Sequence, residues 1–168
     1  EPSAGKGNLI HALGKAAVGV NENLSVDAVE IDPNLRAILE HTYGGALRDS
    51  IHTQMSNIRY GSVKRGTPIT DKEQKELDQL TALSNLLDAI NEFYVVHDDF
   101  LTFDTRKRYD LILMNPPFED GDKHLMKALT LLADGGQLRC LLNAETILNP
   151  YSLHRQELAK VLSEMDAE

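Results

Sequence analysis

Tyr109-Asp110-Leu111-Ile112-Leu113-Met114-Asn115-Pro116-Pro117-Phe118 is the stretch whose reading decides the fold. An unbroken apolar run from Leu111 to Met114 predicts a strand over 109–114 covered on both faces, as inside a parallel sheet. The run ends abruptly at a polar residue and two prolines. Each proline fixes φ and withholds a backbone donor, so the strand leads into a rigid turn and not a mobile loop. Downstream, a helix is expected over about 123–133, closed by Gly135-Gly136, and a second strand over 137–142. Strand, helix and strand in succession form the repeating unit of an α/β protein with parallel strands.

Working outward, Phe93 to His97 reads as another strand, ending at Asp98-Asp99-Phe100. Before it, a long helix begins at Asp71. Its Leu77, Leu80, Leu83, Leu87 and Ile90 are spaced by three and four and form a narrow apolar seam. Such a seam packs against the domain's own edge or takes a partner protein along 71–92. Gly61, Gly66 and Pro68, with Lys64 and Arg65, predict a polar loop within 48–70. Leu24 to Ile31 reads as a strand. Asp32-Pro33 then supplies an N-cap and a first-turn proline for a helix from Asn34 to about Leu47. The chain opens on the turn Glu1-Pro2-Ser3-Ala4-Gly5-Lys6-Gly7, followed by an amphipathic helix carrying Leu9, Ile10, Leu13, Ala16 and Ala17. Asn149-Pro150 is expected to open the last helix, through Leu153, Leu158, Val161 and Leu162.

The bulk composition excludes several classes. The 168 residues are enough for one domain with a real core. With 17 Lys and Arg against 26 Asp and Glu, the net charge is −9. That sign is wrong for a module that holds nucleic acid by phosphate contacts alone. Aromatics make up 5% of the chain, with no Trp, which argues against a stacking platform for single strands. The single cysteine, Cys140, excludes an internal disulfide or a multi-cysteine zinc site. Six histidines without ligand spacing leave no metal site to expect. No apolar run approaches the roughly 20 residues that span a bilayer, and no basic-then-apolar leader is present. No membrane role and a cytoplasmic location are therefore expected.

In open α/β sheets ligands bind beyond the carboxyl ends of the strands, and the polar candidates all fall there. Gly5 and Gly7 allow close backbone approach to a ligand, although the loop also reads as a plain structural turn. Gly5-Lys6 is not a phosphate-binding P-loop, because Gly7 stands where Ser or Thr is needed. Glu30 ends its strand about 20 residues after the glycines, where a carboxylate accepts ribose hydroxyls; a dinucleotide site shares this arrangement. Asp99 can accept from an adenine amino group, with Phe100 packing on the ring, although Asp-Asp before an apolar residue also reads as a plain turn. At Asn115-Pro116-Pro117-Phe118, the Asn115 side-chain oxygen and the Pro116 carbonyl form two acceptors for the two hydrogens of an amino group conjugated to an aromatic ring. They turn the nitrogen toward tetrahedral geometry, which is catalysis by orientation and preorganised electrostatics. Phe118 is placed to stack on the target base, which must leave a duplex to reach the pocket.

As a set, these segments resemble the class I S-adenosylmethionine-dependent methyltransferases, in particular the amino-methylating group that includes DNA adenine methyltransferases. The resemblance rests on Glu1 to Gly7, Val29-Glu30-Ile31-Asp32-Pro33, Asp98-Asp99-Phe100-Leu101 and Tyr109 to Phe118. It implies a doubly wound, mostly parallel, Rossmann-like sheet over 1–168, with a helical insertion at about 48–92. By comparison with the family sheet, the chain looks incomplete at both ends. The resemblance also implies S-adenosyl-L-methionine as cofactor, with Ser3, Ala4, Gly5 and Gly7 lining its methionine part and Glu1 near its amino group. Glu30 would hold the ribose, and Asp99 with Phe100 the cofactor adenine. Asn115, Pro116, Pro117 and Phe118 would be the catalytic segment, aiming the amine lone pair at the methyl carbon. The implied partner is DNA, reached through a separate recognition domain or subunit because this chain is acidic. A guanine or adenine amino group in RNA, a protein glutamine, and a non-catalytic subunit of a restriction or modification complex are the rival readings. Arg106-Lys107-Arg108 reads as a solvated face, and Glu119, Asp120 and Asp122 read as steering substrate or, the favoured expectation, as capping the next helix.

Overall fold

The computed structural model describes residues 1–20, 22–165 and 167. Its elements in chain order are α1 (Asn8–Val20), β1 (Leu24–Val29), α2 (Pro33–Tyr43), α3 (Ala46–Arg65), α4 (Asp71–Ala89), β2 (Ile90–His97), β3 (Tyr109–Met114), α5 (Gly121–Thr130), β4 (Leu132–Cys140), α6 (Ala144–Leu148) and α7 (Leu153–Glu164). They divide into two compact units. One comprises Glu1–Ala4, Ala28–Ile31 and His97–Glu168; the other comprises Gly5–Asp27 and Asp32–Val96. Among the described residues the strands form two two-stranded sheets, β1–β2 and β3–β4. These helices and short paired strands are compatible with the expected Rossmann-like α/β class.

In the first unit, β3 and β4 pair in parallel, with α5 as the crossover between them. The burial of β3 alternates, with Ile112 and Met114 inside and Leu111 at the surface. It is thus covered on one face only, and the expectation of a strand buried on both sides is corrected. Leu125 and Ala128 of α5 are buried, as is Leu158 of α7, and α5 packs on both β4 and α7.

The second unit is largely helical. Its α4 packs on α1 and α3, and α2 packs on α3. Gly14 lets α1 approach closely, since a Cβ there would lie 3.2 Å from Ile90 Cδ1 and 3.2 Å from Leu86 Cγ. Leu77, Leu86 and Leu87 of α4 are buried within this unit. Arg48 ties α3 to the end of α4, pairing with Asp88 at 3.1 Å and donating to the carbonyls of Leu87 and Ile90. A cation at a helix carboxyl end is where the helix dipole favours it.

Three sequence expectations fail locally. The polar loop within 48–70 is instead the 20-residue helix α3. Its apolar stripe is sparse, with only Ile51 and Met55 buried, and Gly61 sits inside it at the ordinary cost of a helical glycine. Gly66 stops it in a left-handed C-cap, accepting the role that the sequence reading gave to the loop as a whole. The helix after Asp32-Pro33 is as expected, with Asp32 accepting from Asn34 N at 2.7 Å, but it breaks at Gly44-Gly45. Asn149-Pro150 ends α6 and does not open the last helix, which Ser152 caps.

Candidate active site

Three segments of the first unit run side by side. Pro2 bridges Val29 in parallel, Val29 N donates to Glu1 O at 3.0 Å, and Ala4 N donates to Val29 O at 3.0 Å. On the other side, Glu30 N donates to His97 O at 3.4 Å. Ser3, Glu30 and Asp98 therefore emerge at neighbouring strand ends. Glu30 is only 6% exposed, so its carboxylate is set into the protein and not spread in solvent. Ser3 has φ of 56°, a left-handed conformation uncommon for a residue with a side chain, at the mouth of the loop.

The turn after β2 is tightly built. Asp98 Oδ1 accepts from Asp99 N at 2.8 Å, and Asp99 Oδ1 accepts from Leu101 N at 2.9 Å. Phe100 is buried, its ring stacked 5.7 Å from that of His124 on α5. Lys127 Nζ lies 5.8 Å from the Phe100 ring and donates to Leu101 O at 2.8 Å. Phe100 thus anchors the Asp99 turn to α5, the helix that follows the tetrapeptide.

Asn115 leaves the carboxyl end of β3 beside the end of β4. Met114 is paired in register with Cys140, and Leu141 N donates to Met114 O at 3.0 Å. Asn115 is exposed, Pro116 buried, Pro117 exposed, and Phe118 stands 70% exposed. Pro116 is held at the start of α5. A Cβ on Gly121 would meet Leu142 Cδ2 at 2.7 Å and Pro116 Cγ at 3.7 Å, so helix, proline and the loop after β4 are in close packing. The polar amide of Asn115 and the ring of Phe118 project from a fixed backbone.

Of the acidic residues that follow, Asp122 serves the first turn of α5, its Oδ1 accepting from Lys123 N at 2.9 Å. Asp120 occupies the cap position but makes no capping bond. It pairs with Lys123 Nζ at 2.6 Å, which holds the Asp120 carboxyl below its ordinary range and the Lys123 ammonium above its own. Asp122 is buried and faces Arg155 of α7. A groove of about 540 Å³, lined by residues including Phe103, Arg108 and Lys127, lies at the opposite, amino end of β3.

The two glycines of the opening turn, both in the second unit, differ in their surroundings. Gly5 has φ of 58° and open space where a side chain would point. Gly7 has φ of 81°, and a Cβ there would lie 2.7 Å from Tyr43 Cε2 and 2.9 Å from Leu39 Cδ2. Its carbonyl accepts from the buried Tyr43 hydroxyl at 3.0 Å. Packing of α2 therefore accounts for glycine at position 7. Sequence reasoning missed Tyr43, although it lies four residues after the buried Leu39 on the inner face of α2. It also missed Arg155, for which sequence spacing offers no signal.

Among the described residues no cluster of His, Cys, Asp and Glu could hold a metal ion. No described helix is long and apolar enough to cross a membrane. The family model described as the methyltransferase small domain matches residues 66–166. That stretch contains Asp99 and Asn115 to Phe118, while Glu1 to Gly7 and Glu30 lie ahead of it. No curated protein and no solved structure matches the chain.

Proposed function

The chain belongs to the methyltransferase small-domain family, since the match takes in more than half of its residues, and from that membership we propose that it methylates the exocyclic amino group of adenine in DNA. The family's methyl donor is S-adenosylmethionine, which when bound supplies an electrophilic methyl carbon. The residues present fit such a donor. Glu30 is a buried carboxylate at a strand end, suited to accept ribose hydroxyls, and it stands beside the strained Ser3 turn. Ser3, Ala4 and Gly5 would border the methionine portion with Glu1, Glu30 the ribose, and the Asp99 turn the adenine. Phe100 serves by fixing that turn, and Gly7 by fixing the loop.

One observation carries the acceptor side: an exposed Asn115 held beside a buried Pro116 at the carboxyl end of β3. In this reading the Asn115 oxygen and the Pro116 carbonyl accept the two amino hydrogens and orient the nitrogen. The exposed Phe118 ring packs on the base, and the rigid turn keeps these groups from reorganising during transfer. The net charge of −9 favours a second acceptor, a protein glutamine, which requires no basic surface. For DNA, a separate recognition domain or subunit supplies that surface.

The experiment that separates them uses a deuterated-methyl donor with adenine-containing duplex DNA and, separately, cell protein extract. Mass spectrometry of the nucleosides is expected to show labelled N6-methyladenine. Label only in glutamine would replace the DNA reading with the protein one. Donor binding without label anywhere would favour a non-catalytic subunit.

A further inference from the structure

The loop between β4 and α7 shares the rim with the tetrapeptide, because Cys140 and Met114 are in register and both strands run the same way. This loop carries large apolar side chains at the surface, Leu141 at 61%, Leu148 at 78% and Tyr151 at 73% exposure. An exposed aromatic ring, apolar on its face and polar at its tip, suits contact with a planar ligand at such a rim. Tyr151 is met there by a cation. The Arg155 guanidinium lies 4.5 Å from the centre of the Tyr151 ring, and its Nε stands 3.8 Å from Asp122 Oδ2. Both charged side chains are shielded, 14% exposed for Arg155 and 10% for Asp122. Asp122 lies in the first turn of α5, directly after the tetrapeptide. Ser152 Oγ accepts from Arg155 N at 3.2 Å, and Leu158, one turn on, is fully buried.

We propose that Arg155 is a positioning residue that brackets the loop after β4 to the tetrapeptide, fixing Tyr151 at the rim where the planar acceptor of the proposed reaction enters. This rests on the functional reading above for the acceptor and on geometry alone for the bracket. The planar, delocalised guanidinium suits both contacts at once, a ring face on one side and a carboxylate on the other. A lysine retains the charge toward Asp122 but not the flat contact with Tyr151.

The chain has no Trp, so Tyr151→Trp gives a single fluorescent reporter at the rim. In that background Arg155→Lys is expected to lower the Trp anisotropy while leaving the Tm nearly unchanged. With the Tyr151 protein, Arg155→Lys is expected to raise KM for adenine-containing duplex DNA roughly three- to fivefold, the scale of a cation–π contact to an exposed ring. The affinity for S-adenosylmethionine, measured by calorimetry, stays the same. Asp122→Asn, which keeps the shape and removes the charge, is expected to give the same pattern should the lysine variant fold poorly. Unchanged anisotropy overturns the bracket, and equal weakening of donor and acceptor binding overturns the acceptor-specific role. Absence of transfer to DNA by the wild-type protein overturns the functional reading, and with it the acceptor role, while the anisotropy still decides whether Arg155 holds the loop.

Discussion

A methyl group added at Gly7 points into the Tyr43 ring 2.7 Å away, from a backbone that already stands at φ of 81°. The same addition at Gly5 meets only the strain of φ at 58°. Gly7→Ala is therefore expected to cost roughly 2–4 kcal/mol and Gly5→Ala about 1 kcal/mol, read from urea denaturation midpoints. Equal losses would remove the distinction between a packing glycine and a loop-shaping one. In sequence the two glycines look alike, because the residue that separates them, Tyr43, is 36 positions from Gly7. Asn115 is different. The role proposed for it rests on a constraint that is wholly local, an apolar strand followed by two prolines. Phe100 has neighbours that its place beside Asp99 does not announce, since His124 and Lys127 lie against its ring from α5.

Elements with local punctuation are readable, and those held by tertiary contacts are not. The start of α4 has both parts of a capping box, with Thr70 Oγ1 accepting from Glu73 N at 3.3 Å and Glu73 Oε2 accepting from Thr70 N at 2.9 Å. Thr70→Ala is expected to cost about 1 kcal/mol in thermal or urea denaturation. The Thr70 backbone and hydroxyl, and then Arg65, hold the Glu73 carboxyl below its ordinary value of 4.5. A depressed folded pKa means that the unfolded chain binds the proton first. The stabilisation is thus present above about that pH and lost as pH falls through the lowered value. Glu73→Gln should flatten this part of the acid limb of a stability–pH curve; an unaltered limb would show that the box carries no linkage. On β4 the sign is opposite. Burial pushes the Cys140 thiol from 9.0 up to about 11. The unfolded chain loses its proton first, so stability contributed here is present below pH 9 and declines between 9 and 11. Iodoacetamide at pH 8 should label native Cys140 much more slowly than the urea-unfolded chain, and equal rates would contradict the burial. The helix α3 was illegible because its two buried residues and internal glycine give little periodicity, and its packing on α2 and α4 decides it.

At the scale of the molecule, the sequence supports the α/β class, the order of the strands, and the family. The pairing of the strands was not legible, since ladders join residues far apart in the chain and a short apolar run does not state its neighbours. Acidity is the strongest global fact bearing on function. A chain of net charge −9 that acts on DNA must gain its affinity elsewhere, so under the proposed function a basic domain or subunit added in trans should lower KM for DNA with little change in kcat. The central claim nevertheless concerns four residues, and it is tested most directly by comparing wild-type and Asn115→Ala proteins in two assays on the same samples. Calorimetry with S-adenosylmethionine should return equal affinities, while single-turnover transfer to adenine-containing DNA should fall by about 10²–10³-fold, the scale of losing one preorganised catalytic hydrogen bond. Undiminished transfer by Asn115→Ala would contradict the account.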